Sequence, residues 1–202
     1  KELTLVPRPA NLPVETWQPI VSGTDRALNF MAKWGIKGMI LGTGEEYVDD
    51  WAHRYQEANA RAGRELQLGE NLGLGLWCYI DDSHEKAEKA LEPLFEEHVK
   101  FAAPLGMLRY SDDNMEQTGP GGAARHIAAG ANFRDVIQKR AWFAGTPEET
   151  IAYLKEIEDK YPGLEHVMLG FPMGASIQQF KEQMTRFAKQ VMPAFGPQRV
   201  KA

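Results

Sequence analysis

An α/β fold built on a parallel sheet is what this sequence predicts, and three observations predict it. Short apolar runs recur along the chain, each is followed by a segment with helical periodicity, and small polar turns join the two. Strands buried on both faces read as nearly unbroken apolar runs, and parallel neighbours need a crossover helix between them.

The first run is Pro19-Ile20-Val21, closed by Ser22-Gly23-Thr24. A helix follows from about Asp25 to Trp34, with Ala27, Leu28, Met31 and Trp34 on one stripe and Gly35 just beyond its end. The second run, Gly38-Met39-Ile40-Leu41, ends at Gly42-Thr43-Gly44. Its helix carries Tyr47, Val48, Trp51, Ala52, Tyr55, Ala58 and Ala62 at helical spacing and stops at Gly63. The third run spans Leu72 to Ile80. Asp82, with Glu85 three positions on, reads as an aspartate form of the capping box, and Ala87, Ala90, Leu91, Leu94 and Phe95 form the buried side of the helix behind it. The fourth run is His166 to Phe171. A last helix starts near Ser176, carries Ile177, Phe180, Met184, Phe187, Ala188 and Val191 as its apolar face, and ends at Pro193. Between the third and fourth units, Thr146-Pro147-Glu148-Glu149 supplies an N-cap threonine, a proline at the first helical position and a glutamate at N3, with Ile151, Leu154 and Ile157 repeating behind it. Residues 104–135 are poorly patterned and are interrupted by Gly119-Pro120-Gly121-Gly122; they read as a long excursion from a single domain covering 1–202. Four such βα units make either half a barrel or a small doubly wound sheet.

Composition narrows the function classes. The 202 residues are 43% apolar and 25% charged, with a formal net charge of −5. The charges are interspersed, so there is no basic stripe for nucleic acid and no polybasic cluster for an anionic membrane. No apolar run reaches the length of a membrane span. The single cysteine, Cys78, excludes a disulfide within the chain and favours a reducing, cytoplasmic setting. The histidines at 53, 84, 98, 126 and 166 show no metal-ligand spacing, so no structural zinc is expected. The sequence begins at Lys1 rather than Met and carries no signal-peptide pattern at that end.

In an α/β sheet, ligands bind where strand turns into helix. Two turns here are small and polar: Ser22-Gly23-Thr24-Asp25 and Gly42-Thr43-Gly44-Glu45. A helix N-terminus presents unpaired amides and a partial positive charge, glycine allows close approach, and a hydroxyl adds a donor, so either turn suits a phosphate. The plainer reading makes Thr24 and Thr43 capping residues only. At the second turn Glu45 and Glu46 repel an anion. Neither turn is a nucleotide fingerprint: Gly42-Thr43-Gly44 lacks the third glycine of G-x-G-x-x-G, and no G-K-[ST] follows any glycine run. There is no G-x-S-x-G, and Cys78 lies mid-strand without an evident base. Asp49-Asp50 and Glu96-Glu97 read as surface charge. Missing catalytic side chains are what cofactor chemistry predicts, the organic ring performing the difficult step.

Four stretches resemble the luciferase-like flavin-dependent monooxygenases. Ala144-Gly145-Thr146-Pro147-Glu148-Glu149-Thr150 resembles the G-T-P-E-E motif that opens a late helical unit there, and Val191-Met192-Pro193-Ala194-Phe195 resembles the closing V-M-P-x-F. Val6-Pro7-Arg8-Pro9 followed by Pro19 to Thr24 is similar to the family's lead-in and fifth strand, and Trp77 to Ala87 is similar to its seventh unit. Two departures are Gly35-Ile36-Lys37-Gly38, where many members read G-D-G, and Gly42, where some place a bulky residue near the flavin. The resemblance implies a TIM (β/α)8 barrel of which this chain supplies about half, strands five to eight. It implies FMN in its reduced form, delivered by a flavin reductase and used with O2 to oxygenate a small organic substrate. It places the flavin phosphate on Ser22, Gly23 and Thr24, and lets Trp77, Tyr79 and Phe171 shape the substrate pocket. It puts the arginine, histidine and asparagine contacts of relatives upstream of Lys1, in a missing N-terminal half or a partner chain, and suggests an oligomer. Two alternatives are a deazaflavin-dependent dehydrogenase of the same fold and a non-catalytic half-barrel that binds flavin or a partner.

Overall fold

The structure is a computed structural model that describes residues 10–21, 23–102, 132–170 and 172–196. Ser22, Phe171, the Val6–Pro9 lead-in and residues 104–131 of the excursion lie outside the described residues. The elements are β1 (Trp17–Pro19), α1 (Asp25–Trp34), β2 (Lys37–Leu41), α2 (Glu45–Arg61), β3 (Leu72–Ile80), α3 (His84–Ala102), α4 (Phe133–Gln138), β4 (Trp142–Gly145), α5 (Pro147–Lys160), β5 (His166–Gly170) and α6 (Ile177–Arg186). A π turn, Phe187–Val191, and a 3-10 turn, Met192–Phe195, follow α6.

Among the described residues the sheet has five strands, all its pairings parallel, where the apolar runs predict four. The additional strand is β4, Trp142-Phe143-Ala144-Gly145. It is only four residues long and half of it is alanine and glycine, which is too short for period-2 alternation to register. The excursion also ends earlier than the sequence implies, because Asn132 caps α4 by accepting from the Arg134 amide at 2.8 Å.

β3 organises the sheet. Gly75 pairs with both Leu41 and Met168, and Trp77 with both Trp142 and Gly170. A strand residue has one neighbour on each edge, so β5 runs along one edge of β3 while β2 and then β4 share the other. One row crosses four strands: Pro19, Met39, Gly73 and His166. Between β3 and β4 the chain therefore steps back towards β2. A right-handed crossover then requires the connecting helices to lie on the opposite face. They do: β3 sends Leu72, Leu74, Leu76, Cys78 and Ile80 into a core with α1, α2 and α5, and sends Tyr79, beside Trp77, into a second core with α3, α4 and β4. α3 and α4 cover that second face only at its C-terminal end. Further back it carries Trp17, Met39 and Met168, each partly exposed, and Leu41, exposed.

The helix starts follow local chemistry. Thr146 and Ser176 each form a reciprocal capping box, with Glu149 and Gln179. The predicted Asp82 cap is corrected: Ser83 Oγ accepts from the Lys86 amide at 3.3 Å, while Asp82 is drawn away to Arg186 at 2.7 Å. The sheet edge is finished by a side chain. β5 stops opposite Trp77, and three residues on, Gln183 of α6 accepts from the Ile80 amide at 2.7 Å and donates to its carbonyl at 2.8 Å. The buried carboxamide stands in for a missing strand neighbour.

Replacing Gln183 by leucine leaves a buried N–H and C=O without partners, so stability should fall by about 2–4 kcal/mol. Urea unfolding of the two proteins, compared by midpoint and slope, tests this; an unchanged midpoint would show that the bidentate bond contributes nothing net.

Candidate functional site

Each strand of a parallel sheet hands over to a helix at its carboxyl end, and that end is the ligand side. In the turn after β1, Gly23 has φ of +54° and is buried, and a Cβ there would meet the Cδ1 and Nε1 atoms of Trp51. A bare backbone is thus required for the turn to rest on that indole. Thr24 is the N-cap of α1, extended and exposed, and its side chain makes no capping bond to the helix. The first turn of α1 keeps the partial positive charge of a helix start. Asp25 would oppose an anion there, but Arg54 of α2 holds its carboxylate at 2.7 Å. That hydrogen bond, aided by the guanidinium charge, keeps Asp25 below the usual carboxylate range. The local negative charge is already paired.

The other turns are occupied by the protein itself. At α2, the Glu45 amide donates to the Lys139 carbonyl at 2.9 Å, and the Glu45 carboxylate lies 3.6 Å from both Arg140 and Lys160. After β3, Arg186 spans Asp82 and Asp81 at 2.7 and 3.7 Å. After β4, the Thr146 hydroxyl accepts from the Glu149 amide, and Glu149 also meets His84 Nδ1 at 3.3 Å.

The aromatic candidates sit on the face covered by α3. Trp77 stacks on Trp142 with centroids 5.4 Å apart, and lies 4.8 Å from the ring of His98. Gly42 and Gly170 both abut its indole, where side chains would collide with it. Tyr79 is buried in the second core beside Phe95 and Leu91. The structure therefore joins Trp77 and Tyr79 on one face, and puts Gly23 and Thr24 at the end of a strand two places away.

Sequence reasoning passed over His98. It is 7% exposed, and its Nδ1 has no hydrogen-bond partner among the described residues. Its signal was available: Ala87, Leu91, Leu94, Phe95 and His98 continue one helical stripe. Burial lowers the imidazole's proton affinity. Burial also pushes the Cys78 thiol up to about 12, which removes it as a nucleophile near neutral pH. Among the described residues no cluster of three or more His, Cys, Asp or Glu is placed to hold a metal ion, and no helix is long and apolar enough to cross a membrane.

Comparison with known proteins agrees with the architecture. Residues 1–162 match the family model described as luciferase-like monooxygenase. The monooxygenase RslO1 from Streptomyces bottropensis superposes with a TM-score of 0.64 at 16% identity, over 94% of this chain and 51% of that one. The oxygenating constituent of 3,6-diketocamphane monooxygenase from a Pseudomonas putida plasmid, solved with FMN, gives 0.59 at 12% identity, over 88% and 47%. An F420-dependent secondary alcohol dehydrogenase, solved with an F420–acetone adduct, gives 0.62 at 17% identity, over 95% and 52%. The chain thus spans about half the length of these structures. No protein of curated function matches it.

Two outcomes follow from this geometry. Gly23→Ala forces a side chain into left-handed backbone against a buried indole, and should lower stability by about 1–3 kcal/mol, read from thermal and urea unfolding. For His98, the folded pKa lies below the ordinary 6.5, so below that pH the unfolded chain takes up a proton that the folded chain resists. Its contribution is intact above about pH 6.5 and is lost progressively as the pH falls below that. His98→Phe should flatten that loss; parallel pH–stability curves for the two proteins would refute the assignment.

Proposed function

The chain belongs to the luciferase-like monooxygenase family, and from that premise we propose that it supplies the flavin-phosphate end of an FMN-dependent monooxygenase acting on a small organic substrate. The observation that carries the reading is the turn after β1. Its N-cap hydroxyl is not spent on the helix, its glycine seats the turn on the Trp51 indole, and the Asp25 carboxylate beside it is paired to Arg54. These are the features that a phosphomonoester uses.

The residues divide the work as follows. The Thr24 hydroxyl and the first amides of α1 donate to phosphate oxygens, and Ser22 adds a second hydroxyl to the same turn. Gly23 lets the turn rest on the Trp51 indole, and Arg54 keeps Asp25 from repelling the anion. Held at this turn in its reduced form, FMN would supply the two electrons needed for O2 to yield an oxygenated substrate and water. Trp77, Tyr79 and Phe171 shape the apolar wall of the substrate pocket. A flavin reductase delivers the reduced cofactor, and a second set of strands completes the barrel.

The F420-dependent neighbour supports one competing reading, hydride transfer on a deazaflavin without oxygen. Titrating the chain with FMN, riboflavin and F420, followed by flavin fluorescence, separates the possibilities. FMN should bind more tightly than riboflavin. Thr24→Ala should weaken FMN about tenfold, one charge-assisted hydrogen bond's worth, and leave riboflavin unaltered. Equal affinity for FMN and riboflavin would remove the phosphate site; clear preference for F420 would replace oxygenation by hydride transfer.

A further inference from the structure

Helix α2 reaches back to the turn after β1 with two side chains set three residues apart, and so on one face. Arg54 is one, its guanidinium divided between Asp25 at 2.7 Å and Asp50 at 3.3 Å. Trp51 is the other. It lies against Gly23, where a Cβ would stand 2.3 Å from both Cδ1 and Nε1 of the indole. Any side chain at position 23 would cover that pair of atoms. Glycine leaves them bare to the turn.

The indole belongs to the larger core, with Leu28, Met31 and Ala52, and is 3% exposed. Its single polar group, the Nε1–H, donates and cannot accept. Such a group, once buried, is normally paired, because it loses water without otherwise gaining a partner. Trp17 follows the rule by donating to Glu15, and Trp34, 63% exposed, stands in water. Trp51 does neither: among the described residues nothing accepts from its Nε1. Nor is that atom one of the wholly enclosed ones left unpaired, so an acceptor arriving at the turn can reach it.

We propose that the Trp51 Nε1–H is a donor to the phosphate group held at the turn after β1. The proposal rests on the phosphate reading above and deepens it, adding a ligand from α2 to a site otherwise built from α1 and its N-cap. Two independent features then converge on one anion. One is a helix start whose N-cap side chain makes no capping bond; the other is a buried N–H with no acceptor among the described residues. Gly23 acquires a second function, since its missing side chain is what uncovers the indole. The donors so assembled are a hydroxyl, backbone amides and an indole, all neutral, while Arg54 stays with its two carboxylates. Each forms a stronger bond to an ionised oxygen than to a hydroxyl, so a phosphomonoester is favoured over the ribityl end of riboflavin.

The test removes the donor and keeps the ring. In the full-length protein, Trp51→Phe retains an aromatic side chain under Gly23 and lacks the N–H. Its affinity for FMN should fall about tenfold, and its affinity for riboflavin should stay as it was. A second measurement needs no variant: two-dimensional 15N–1H spectra of the unaltered protein, with the Trp51 indole signal assigned by through-bond connectivity. That signal should move downfield on titration with FMN or with inorganic phosphate, and hold its place with riboflavin. An indole that only supports the turn would not tell these ligands apart. A Trp51 signal unmoved at saturating FMN, or Trp51→Phe binding FMN as tightly as the unaltered protein, would overturn the proposal and leave the Thr24 site standing. Equal affinity of the unaltered protein for FMN and riboflavin would instead remove the phosphate reading, and the part of Trp51 with it.

Discussion

Everything in this fold depends on β3 being buried on both faces at once. Its even-numbered side chains, Leu72 through Ile80, close one core against α1, α2 and α5. Its odd-numbered positions are glycine at 73 and 75 and aromatic at 77 and 79, which lets neighbouring strands' side chains lie over the first pair and packs the second pair under α3. A charge at any of these nine positions would be stranded in a low-dielectric interior. The strand also carries three neighbours, so its register sets theirs.

The reversal of direction after β3 has a functional meaning. Because β4 returns to the side of β2, α3 and α4 are sent to the face that would otherwise be entirely barrel interior. The strands' carboxyl ends consequently divide into two zones. Around β1 the helix start stands open, with its acidic residue paired to Arg54. Around β3 and β4 the ends are closed by Arg186, Glu149 and the packed rings of Trp77 and Trp142. The row thus has a polar end at β1 and a closed, aromatic end at β3 and β4.

Much of this was legible in the residues because local chemistry and tertiary role coincide. α1 and β3 follow from unbroken periodicity, and the Thr146-Pro147-Glu148-Glu149 start carries its own capping box. What was hidden depends on distant partners. β4 becomes a strand because β3 offers it an edge. Asp82 gives up its cap because Arg186, more than a hundred residues later, comes beside it. The turn at Gly42 shares the small polar pattern of the one at Gly23 but carries Glu45 and Glu46, and the Lys139 carbonyl also covers its α2 amide. The spacing of small residues identifies a turn; only the tertiary neighbours decide whether its amides are available.

Gln183 of α6 links to Ile80, at the end of β3, across a separation of 103 residues. Since a ribosome releases the chain from its N-terminus onward, the far side of Ile80 has nothing to bond with until α6 has emerged. The sheet's central ribbon therefore stays unsealed through most of synthesis, and the last helix acts as the clasp that fastens it.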